Sequence, residues 1–209
     1  MADTSTFETI DNIYRSRITL LDILEERGFE VTKFRKFSPI EIAAAAAAFP
    51  SLSFEVAKKD DETQKCQVRY AKVGRQKLIG FFEDIPEADV PNTEVIVMML
   101  EPVNDTHHQV ALQLYLGRKL RVGFFSVFQL VNNPMRHVLV PKHTIVPQEE
   151  HAAIMTKYNI PSKSKFPMIR FHVDPIIRLI GAVPGDIVKI SRPSPTCGVY
   201  DDWYRVVTP

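Results

Sequence analysis

Residues 166–207 read FPMIRFHVDPIIRLIGAVPGDIVKISRPSPTCGVYDDWYRVV, and this stretch decides the fold of the second half of the chain. Asp174 stands at the cap position of a short helix, and Gly181 follows where that helix should end. The runs 187–190 and 204–207 predict two paired strands joined by a turn. Helix, strand, turn and strand in this order predict a small mixed α+β unit.

The texture of the sequence changes near residue 134, where prolines become dense. From Pro134 to the end, ten Lys and Arg stand against six Asp and Glu, whereas the first 133 residues hold 16 basic and 19 acidic side chains. Together these changes predict two domains, 1–133 and 134–209. The acidic balance also makes the first half a poor independent DNA binder.

The first half predicts an α/β domain. An amphipathic helix ends near Gly28, and the spacing of Ser38 and Glu41 predicts a capping box for an alanine-rich helix that closes at Pro50. The remaining predicted elements are strands at 54–56, 66–70, 78–82 and 94–100 and, after a loop at 101–108, a helix through Leu112, Leu114 and Leu116. The fold class is therefore an α/β domain followed by a small α+β domain.

Composition and cysteine usage exclude several classes of protein. Hydrophobic residues make up 45% and charged residues 24%, as in ordinary globular proteins. No run approaches the roughly 18 apolar residues of a membrane helix, and the polar beginning lacks a secretion signal. We therefore expect an intracellular protein without a membrane partner. Cys66 and Cys197 lie far apart, which favours neither a disulfide framework nor a thiolate metal site.

Motifs of catalysis are missing from the sequence. It contains no phosphate-binding loop, no nucleophile elbow and no zinc-protease helix motif, so we expect no enzyme, cofactor, metal or small-molecule substrate. His107 and His108 are adjacent, and adjacent side chains on a helix point to different sides, which makes a poor metal site. An active nuclease remains an alternative, in which Glu83 or Asp84 would help to hold a metal ion.

Two stretches, 166–207 and the preceding HVLVPKHTIVPQEE at 137–150, resemble a known family. Their residues match, in order, the pattern of the common small (fifth) subunit of eukaryotic nuclear RNA polymerases and of its small archaeal counterpart. Val138 departs from the pattern, which usually has a polar residue there. The signature positions are His137, Pro141, His143, Asp174, Pro175, Gly181, Gly185 and Gly198.

This resemblance implies a non-catalytic structural subunit of a multisubunit DNA-dependent RNA polymerase. The second domain would be an assembly domain that docks on the largest subunit, and the first a jaw-like domain in the lower jaw, near downstream DNA during transcription. The DNA-proximal loop corresponds to Thr106, His107 and His108, where only the threonine agrees with the family. Such a divergent first half suits a large cytoplasmic DNA virus. The protein would then lie in the host cytoplasm and virion, and a cellular one in the nucleus.

The expected partner-binding residues lie on the predicted hairpin and are Arg192, Ser194, Thr196, Tyr204 and Arg205. Arginine heads suit carboxylates or carbonyls of a partner, and tyrosine is a common interface anchor. Alternatively, both arginines only brace the hairpin against Asp186, Asp201 or Asp202. Trp203 is expected to be partly buried rather than an anchor. A second functional hypothesis is a stand-alone regulatory DNA-binding protein that reuses this module.

Overall fold

The computed structural model describes residues 7–72, 78, 80–194 and 198–209. Helices and strands are mixed, and the chain divides into two compact units, Met1–Asn133 and Pro134–Pro209. Each unit contains a four-stranded sheet, so the predicted mixed α and β character is confirmed. Among the described residues, no helix is long and apolar enough to cross a membrane.

The first unit is built around a mixed sheet with the strand order β1-β2-β3-β4. Strand β1 is antiparallel to β2, whereas β2, β3 and β4 are parallel to one another. Every residue of β3 is buried, as its continuous apolar run predicts. The elements are α1 (Phe7–Glu26), α2 (Pro39–Ala46), β1 (Phe54–Ala57), β2 (Lys65–Tyr70), β3 (Thr93–Met99), α3 (Asp105–Arg118) and β4 (Arg121–Ser126).

Local signals explain how α1 ends and α2 begins. Gly28 follows α1 with a φ of 88°, a left-handed conformation that glycine adopts without strain. Ser38 caps α2: its hydroxyl accepts from the Glu41 N–H at 3.3 Å, and the Glu41 carboxylate accepts from the Ser38 N–H at 2.7 Å. The predicted capping box is confirmed. Helix α2 ends before Pro50, which lies in a 3-10 helix, Phe49–Leu52.

The strand expected over residues 78–82 is wrong where the structure describes it, because Gly80–Phe82 forms a 3-10 helix, and residue 79 lies outside the described residues. The Phe82 carbonyl accepts hydrogen bonds from Arg118 Nη1 at 3.2 Å and from the Ile85 N–H at 3.4 Å, so a side chain and a local turn rather than a neighbouring strand satisfy it. The Phe82 ring is fully buried and meets Phe124 edge-on, with ring centroids 6.1 Å apart. Aromatic burial and a distant arginine therefore set this conformation.

The second unit is built around a sheet with the order β5-β7-β8-β6. Strand β7 is antiparallel to both β5 and β8, and β6 is parallel to β8. The predicted pairing of 187–190 with 204–207 is therefore confirmed. The elements are β5 (Lys142–Ile145), α4 (His151–Lys157), β6 (Met168–Arg170), α5 (Pro175–Ile180), β7 (Ile187–Pro193) and β8 (Tyr200–Thr208).

Side chains from both faces of this second sheet are buried. The face toward α4 forms a core of Val146, Ile154, Phe166, Ile187 and Val206, with Tyr204 packed at its margin. Because successive residues of a strand point to opposite faces, Val188, Ile190 and Val207 belong to the other face, and all three are buried.

Helix α5 has the predicted start and stop. The Asp174 carboxylate accepts hydrogen bonds from the Ile176 N–H at 2.8 Å and the Ile177 N–H at 3.3 Å. Gly181 ends the helix in the left-handed conformation, with a φ of 74°. Both predictions are confirmed, and they fix the connection that leads into β7.

Candidate assembly surface

The β7–β8 hairpin brings Arg192, Trp203 and Arg205 to one face of the second sheet. The register pairs Ile190 with Trp203 and Val188 with Arg205, and the two-residue period of β7 puts Arg192 on the same face. Trp203, expected to be partly buried rather than an anchor, is 54% exposed and so is accessible to a partner, and Arg192 is exposed as well. Each arginine is thus a near neighbour of the tryptophan, and we call these three residues the assembly surface.

Arg205 is also part of the scaffold of this surface. Its Nη1 donates to the carbonyl of Met168 at 3.0 Å, so it ties β8 to the edge strand β6. Arg205 therefore braces the hairpin, as the alternative expects, but the group that accepts its hydrogen bond is a backbone carbonyl and not a carboxylate. Asp186, one of the expected carboxylate partners, accepts instead from the Val183 N–H at 2.9 Å.

Of the other two expected partners, Asp201 is paired with Arg192 in the strand register and shares its face, whereas Asp202 lies on the opposite face. Asp202 pairs with Lys189 Nζ at 2.7 Å and accepts from the Ser191 hydroxyl at 2.8 Å. The hydrogen bond from Lys189, with a smaller contribution from Ser191, lowers the pKa of Asp202, and the same contact raises the pKa of Lys189. Because both side chains are well solvated, this pair contributes little to stability.

The structure does not bring Tyr204 together with the two arginines. Tyr204 follows Trp203 in the strand and therefore points to the α4 side, where its ring centroid lies 5.5 Å from that of Tyr158. Ser194 is half-buried beyond β7, and its N–H donates to the Val199 carbonyl at 2.8 Å. Thr196 lies outside the described residues.

A second exposed feature lies within the signature segment and was missed in the sequence. Val138 is 97% and Leu139 83% exposed. His137 holds the turn that presents them, since its Nδ1 accepts from the Leu139 N–H at 3.2 Å. His143 contacts the Pro141 carbonyl at 2.7 Å, so both histidines bond within the fold. Adjacent exposed aliphatic side chains are a feature of interaction sites, and the run VLV between His137 and Pro141 was the available signal.

The residues expected in a DNA-proximal loop lie in a helix instead. Thr106, His107 and His108 form the first turn of α3, which Asn104 caps. The Asn104 side chain accepts from the His107 N–H at 3.4 Å, and His107 Nδ1 accepts from the Asn104 N–H at 3.2 Å. His107 is buried, with its ring centroid 5.3 Å from that of Phe124. The loop assignment is therefore wrong, because a reciprocal cap starts the helix earlier.

Of the two acids that the nuclease alternative requires, Asp84 is held in an ion pair and Glu83 points to no metal site in the described residues. Arg69 holds both oxygens of Asp84, at 3.0 Å and 2.9 Å, in a bidentate ion pair. Glu83 is exposed. Across the described parts of the chain, no group of three or more His, Cys, Asp and Glu side chains is arranged to hold a metal ion.

Comparison with known proteins places the second unit in a class of RNA polymerase subunits. Residues 132–207 match the family model described as RNA polymerase Rpb5, C-terminal domain. This match spans the segment of the signature histidines, helix α5 and the hairpin with its assembly surface.

Full-length relatives extend the similarity to the first unit. Subunit rpabc1 of DNA-directed RNA polymerases I, II and III from Dictyostelium discoideum is 30% identical over 196 residues, covering 92% of this chain and 96% of that protein. The corresponding subunit of Caenorhabditis elegans is 26% identical, with 93% and 95% covered. Subunit Rpo5 of Pyrococcus horikoshii is 49% identical over 75 residues, 36% of this chain and 88% of that protein. The chain belongs to the family of this shared RNA polymerase subunit, which confirms the resemblance.

Proposed function

We propose that the chain is a non-catalytic structural subunit of a multisubunit DNA-dependent RNA polymerase. It docks on the largest subunit through its second unit, and its first unit contributes to the lower jaw near downstream DNA. One observation carries this proposal: an archaeal polymerase subunit aligns with this chain over 75 residues, which is 88% of its own length and about the length of the family-model match at 132–207. A polymerase subunit can thus consist of little more than this unit, which points to it as the part that assembles.

The chemistry of the assembly surface fits a protein partner. Arginine and tryptophan are the residue types most enriched among interface anchors. Their strands are fixed by the buried Ile190 and Val207, so few degrees of freedom are lost when a partner binds. We expect the partner to present carboxylates or backbone carbonyls to Arg192 and Arg205 and an apolar pocket to Trp203.

The first unit contributes position rather than sequence recognition. Thr106 and His108, half-buried in the first turn of α3, are the candidates for the DNA side, since His107 is buried. Contacts to phosphates hold a duplex in place without reading bases. The 19 acidic against 16 basic residues of this unit make independent DNA binding weak, so such contacts act within the assembled enzyme.

Nucleotide addition and its metal ions belong, in this proposal, to the other subunits. The chain itself needs no cofactor, small-molecule substrate or membrane. It acts in the nucleus of a cellular organism, or in the host cytoplasm and the virion of a large DNA virus.

Affinity purification of the tagged chain from its native source tests the proposal. We expect the wild-type chain to recover the largest polymerase subunit in stoichiometric amounts, and the R192E/W203A variant to lose it. Arg205 is left in place because it also bonds the Met168 carbonyl. Circular dichroism must show that the variant is folded.

A matched control separates this face from the opposite one. The Y158A/K165E variant also truncates one aromatic residue and reverses one exposed charge, but Tyr158 packs on the α4 side with Tyr204. It should recover the polymerase as the wild type does. If the control loses the polymerase and R192E/W203A keeps it, the assembly surface is misplaced.

The same preparations distinguish the other hypotheses. A wild-type chain that is isolated without polymerase subunits, and that binds naked duplex with steep salt dependence, would replace the subunit proposal by the regulatory one. Metal-dependent cleavage of DNA that E83Q or D84N abolishes would establish the nuclease instead.

A further inference from the structure

A polar cavity opens at the end of the first sheet where the strands β2, β3 and β4 begin. Its volume is about 110 Å³, and Lys65, Glu94 and Arg121 line it from the starts of these three strands. Arg27 and Lys58 complete it from the segments that follow α1 and β1. Because these three strands are parallel, the cavity lies at the opposite end of the sheet from the point where β3 ends and the chain leads to α3.

The lining of this cavity is basic, although the first unit as a whole has more acidic than basic residues. Four of the unit's 16 basic residues line it, and Glu94 is the one acidic residue in the described lining. Glu94 is engaged by Arg27, whose Nη1 and Nη2 each donate to one carboxylate oxygen, and the two side chains are only 10% and 15% exposed. This ion pair is neutral as a whole.

Three basic residues of the described lining remain after Arg27 is paired with Glu94, and no further acidic residue of that lining balances them. Lys58, Lys65 and Arg121 bring three positive charges to one small space. Lys65 lies 3.4 Å from Glu55, but both side chains are nearly half exposed, so this pair is weak. Like charges around one cavity repel one another, and an anion between them removes that cost.

An adjoining cavity restricts which anion fits. It has a volume of about 170 Å³, shares Lys65 and Thr93 with the first cavity, and is lined by the carboxylates Glu55, Asp84 and Asp89, of which Asp84 is paired with Arg69. A nucleic acid strand along this end of the sheet would bring phosphates against those carboxylates. A single carboxylate avoids them, and about 110 Å³ is below the roughly 300 Å³ of small-molecule sites, which suits one side chain.

We propose that this basic cavity (Arg27, Lys58, Lys65 and Arg121) receives a carboxylate side chain from an acidic segment of a partner protein. The planar head of Arg121 suits bidentate contact with a carboxylate, and the lysines add positive charge beside it. The Arg27–Glu94 pair forms the fixed floor. This site lies within the first unit and is independent of the assembly surface of the second.

Titration of the isotope-labelled full chain, followed by the amide signals of the cavity residues, tests the proposal. The probe is the capped peptide acetyl-Gly-Glu-Glu-Gly-amide, and its glutamine analogue is the chemical control. We expect the glutamate peptide alone to shift these signals, and K58Q/R121Q to weaken its binding by about tenfold, as the loss of two charge contacts implies. The control K33Q/K36Q removes two exposed cations outside the cavity and should bind as the wild type does.

Several outcomes would overturn the proposal. One is an equal loss of peptide binding in K58Q/R121Q and K33Q/K36Q, and another is a glutamate peptide that leaves the cavity signals unchanged. Inorganic phosphate and a short DNA duplex are titrated in parallel. If either shifts the same signals at lower concentration than the peptide, and K58Q/R121Q removes that effect, the cavity is a phosphate or nucleic-acid site. Unchanged thermal unfolding of both variants excludes misfolding as the cause.

Discussion

Both units bury an arginine, Arg17 in the first and Arg178 in the second, and the first unit also buries the carboxylate of Glu94. The Arg17 side chain is buried with its guanidinium 4.4 Å from the centroid of the Phe54 ring, and its Nη1 donates to the Leu52 carbonyl at 2.7 Å. The Arg27–Glu94 pair is a second buried charge in the same unit. Buried charges of this kind tolerate the loss of neither partner.

Sequence identity to the relatives is higher over the short alignment than over the long one. The archaeal relative is 49% identical over 75 residues, whereas the Dictyostelium relative is 30% identical over 196 residues. Left-handed glycines and helix caps have few substitutes, while apolar residues in a core exchange readily if volume and pattern are kept. The second unit, the part that the family model matches, carries several such positions, among them Asp174, Gly181 and Gly185.

Two intrinsic probes allow the units to be followed separately. Trp203 is the single tryptophan of the chain and lies in the second unit, so its fluorescence reports that unit. Cys66 is buried in the first unit, and burial, together with the nearby Glu94 carboxylate, raises the pKa of its thiol well above the ordinary value. Its rate of labelling in a C197S background reports the opening of the first unit.

The largest effect is expected from breaking the buried ion pair. E94A leaves the Arg27 charge buried without its carboxylate, and the free energy of unfolding of the first unit should fall by about 3–5 kcal/mol. Urea unfolding followed by circular dichroism and Cys66 labelling measures this loss. The midpoint of Trp203 fluorescence should stay in place. A common shift of both probes would show that the units unfold together, contrary to this expectation.

The R27M/E94L variant sharpens the same comparison. Replacing both partners by apolar residues removes the unpaired charge, so stability should return to within about 1–2 kcal/mol of the wild type. Cys66 labelling again provides the measurement. A double variant as unstable as E94A would indicate that packing at this site, rather than an unpaired charge, causes the loss.

A smaller effect on the second unit is expected from G185A. Gly185 has a φ of 100°, and an added methyl group would meet no atom within 4 Å, so the cost is purely conformational. We expect a loss of about 1–2 kcal/mol in the Trp203 transition. G80A in the first unit is the matched control: its added methyl group makes only ordinary contact, 3.9 Å from Glu83, and it should be nearly neutral.

Removing the cap of α5 should have an effect of about 1 kcal/mol. D174A leaves the N–H groups of Ile176 and Ile177 without their acceptor, and loss of such a cap costs about 0.5–2 kcal/mol. The Trp203 transition measures it. D174N, which can still accept a hydrogen bond, should retain most of the stability. An equal loss in both variants would assign the effect to the charge of Asp174.

The smallest effect is a pH dependence of the hairpin. Since the Lys189 contact lowers the pKa of folded Asp202, its contribution is present above the ordinary Asp pKa of about 3.9 and is lost as the pH falls through the folded pKa. In D202N, the Trp203 midpoint should therefore fall less steeply with acid than in the wild type. An unchanged acid profile would show that the contact does not persist in solution.

Features fixed by neighbouring residues could be predicted from the sequence. The capping box of Ser38, the Asp174 cap and the Gly181 stop each depend on side chains within one turn. The sidedness of the hairpin was also available, because adjacent residues such as Tyr204 and Arg205 must face opposite ways once the strand is known. The start of α3 was missed because a histidine, rather than glutamate or glutamine, completes the cap of Asn104.

Features that depend on distant residues could not be predicted. The Phe82 carbonyl accepts a hydrogen bond from Arg118, which is remote in sequence and reaches that carbonyl only in the folded unit. The basic cavity gathers side chains from four separate segments, and no spacing along the chain marks them as neighbours. Surface sites of this kind become visible only when the sheet order is known.

The edge strands of the second sheet have a consequence for the chain before it is incorporated. Strands β5 and β6 are the outer strands, and they are only four and three residues long. They carry Lys142 and Arg170, and Pro167 directly precedes β6. Short edges with charges and a nearby proline resist pairing with a second copy. We therefore expect newly synthesised chains to remain monomeric and free of fibrils before they bind other polymerase subunits.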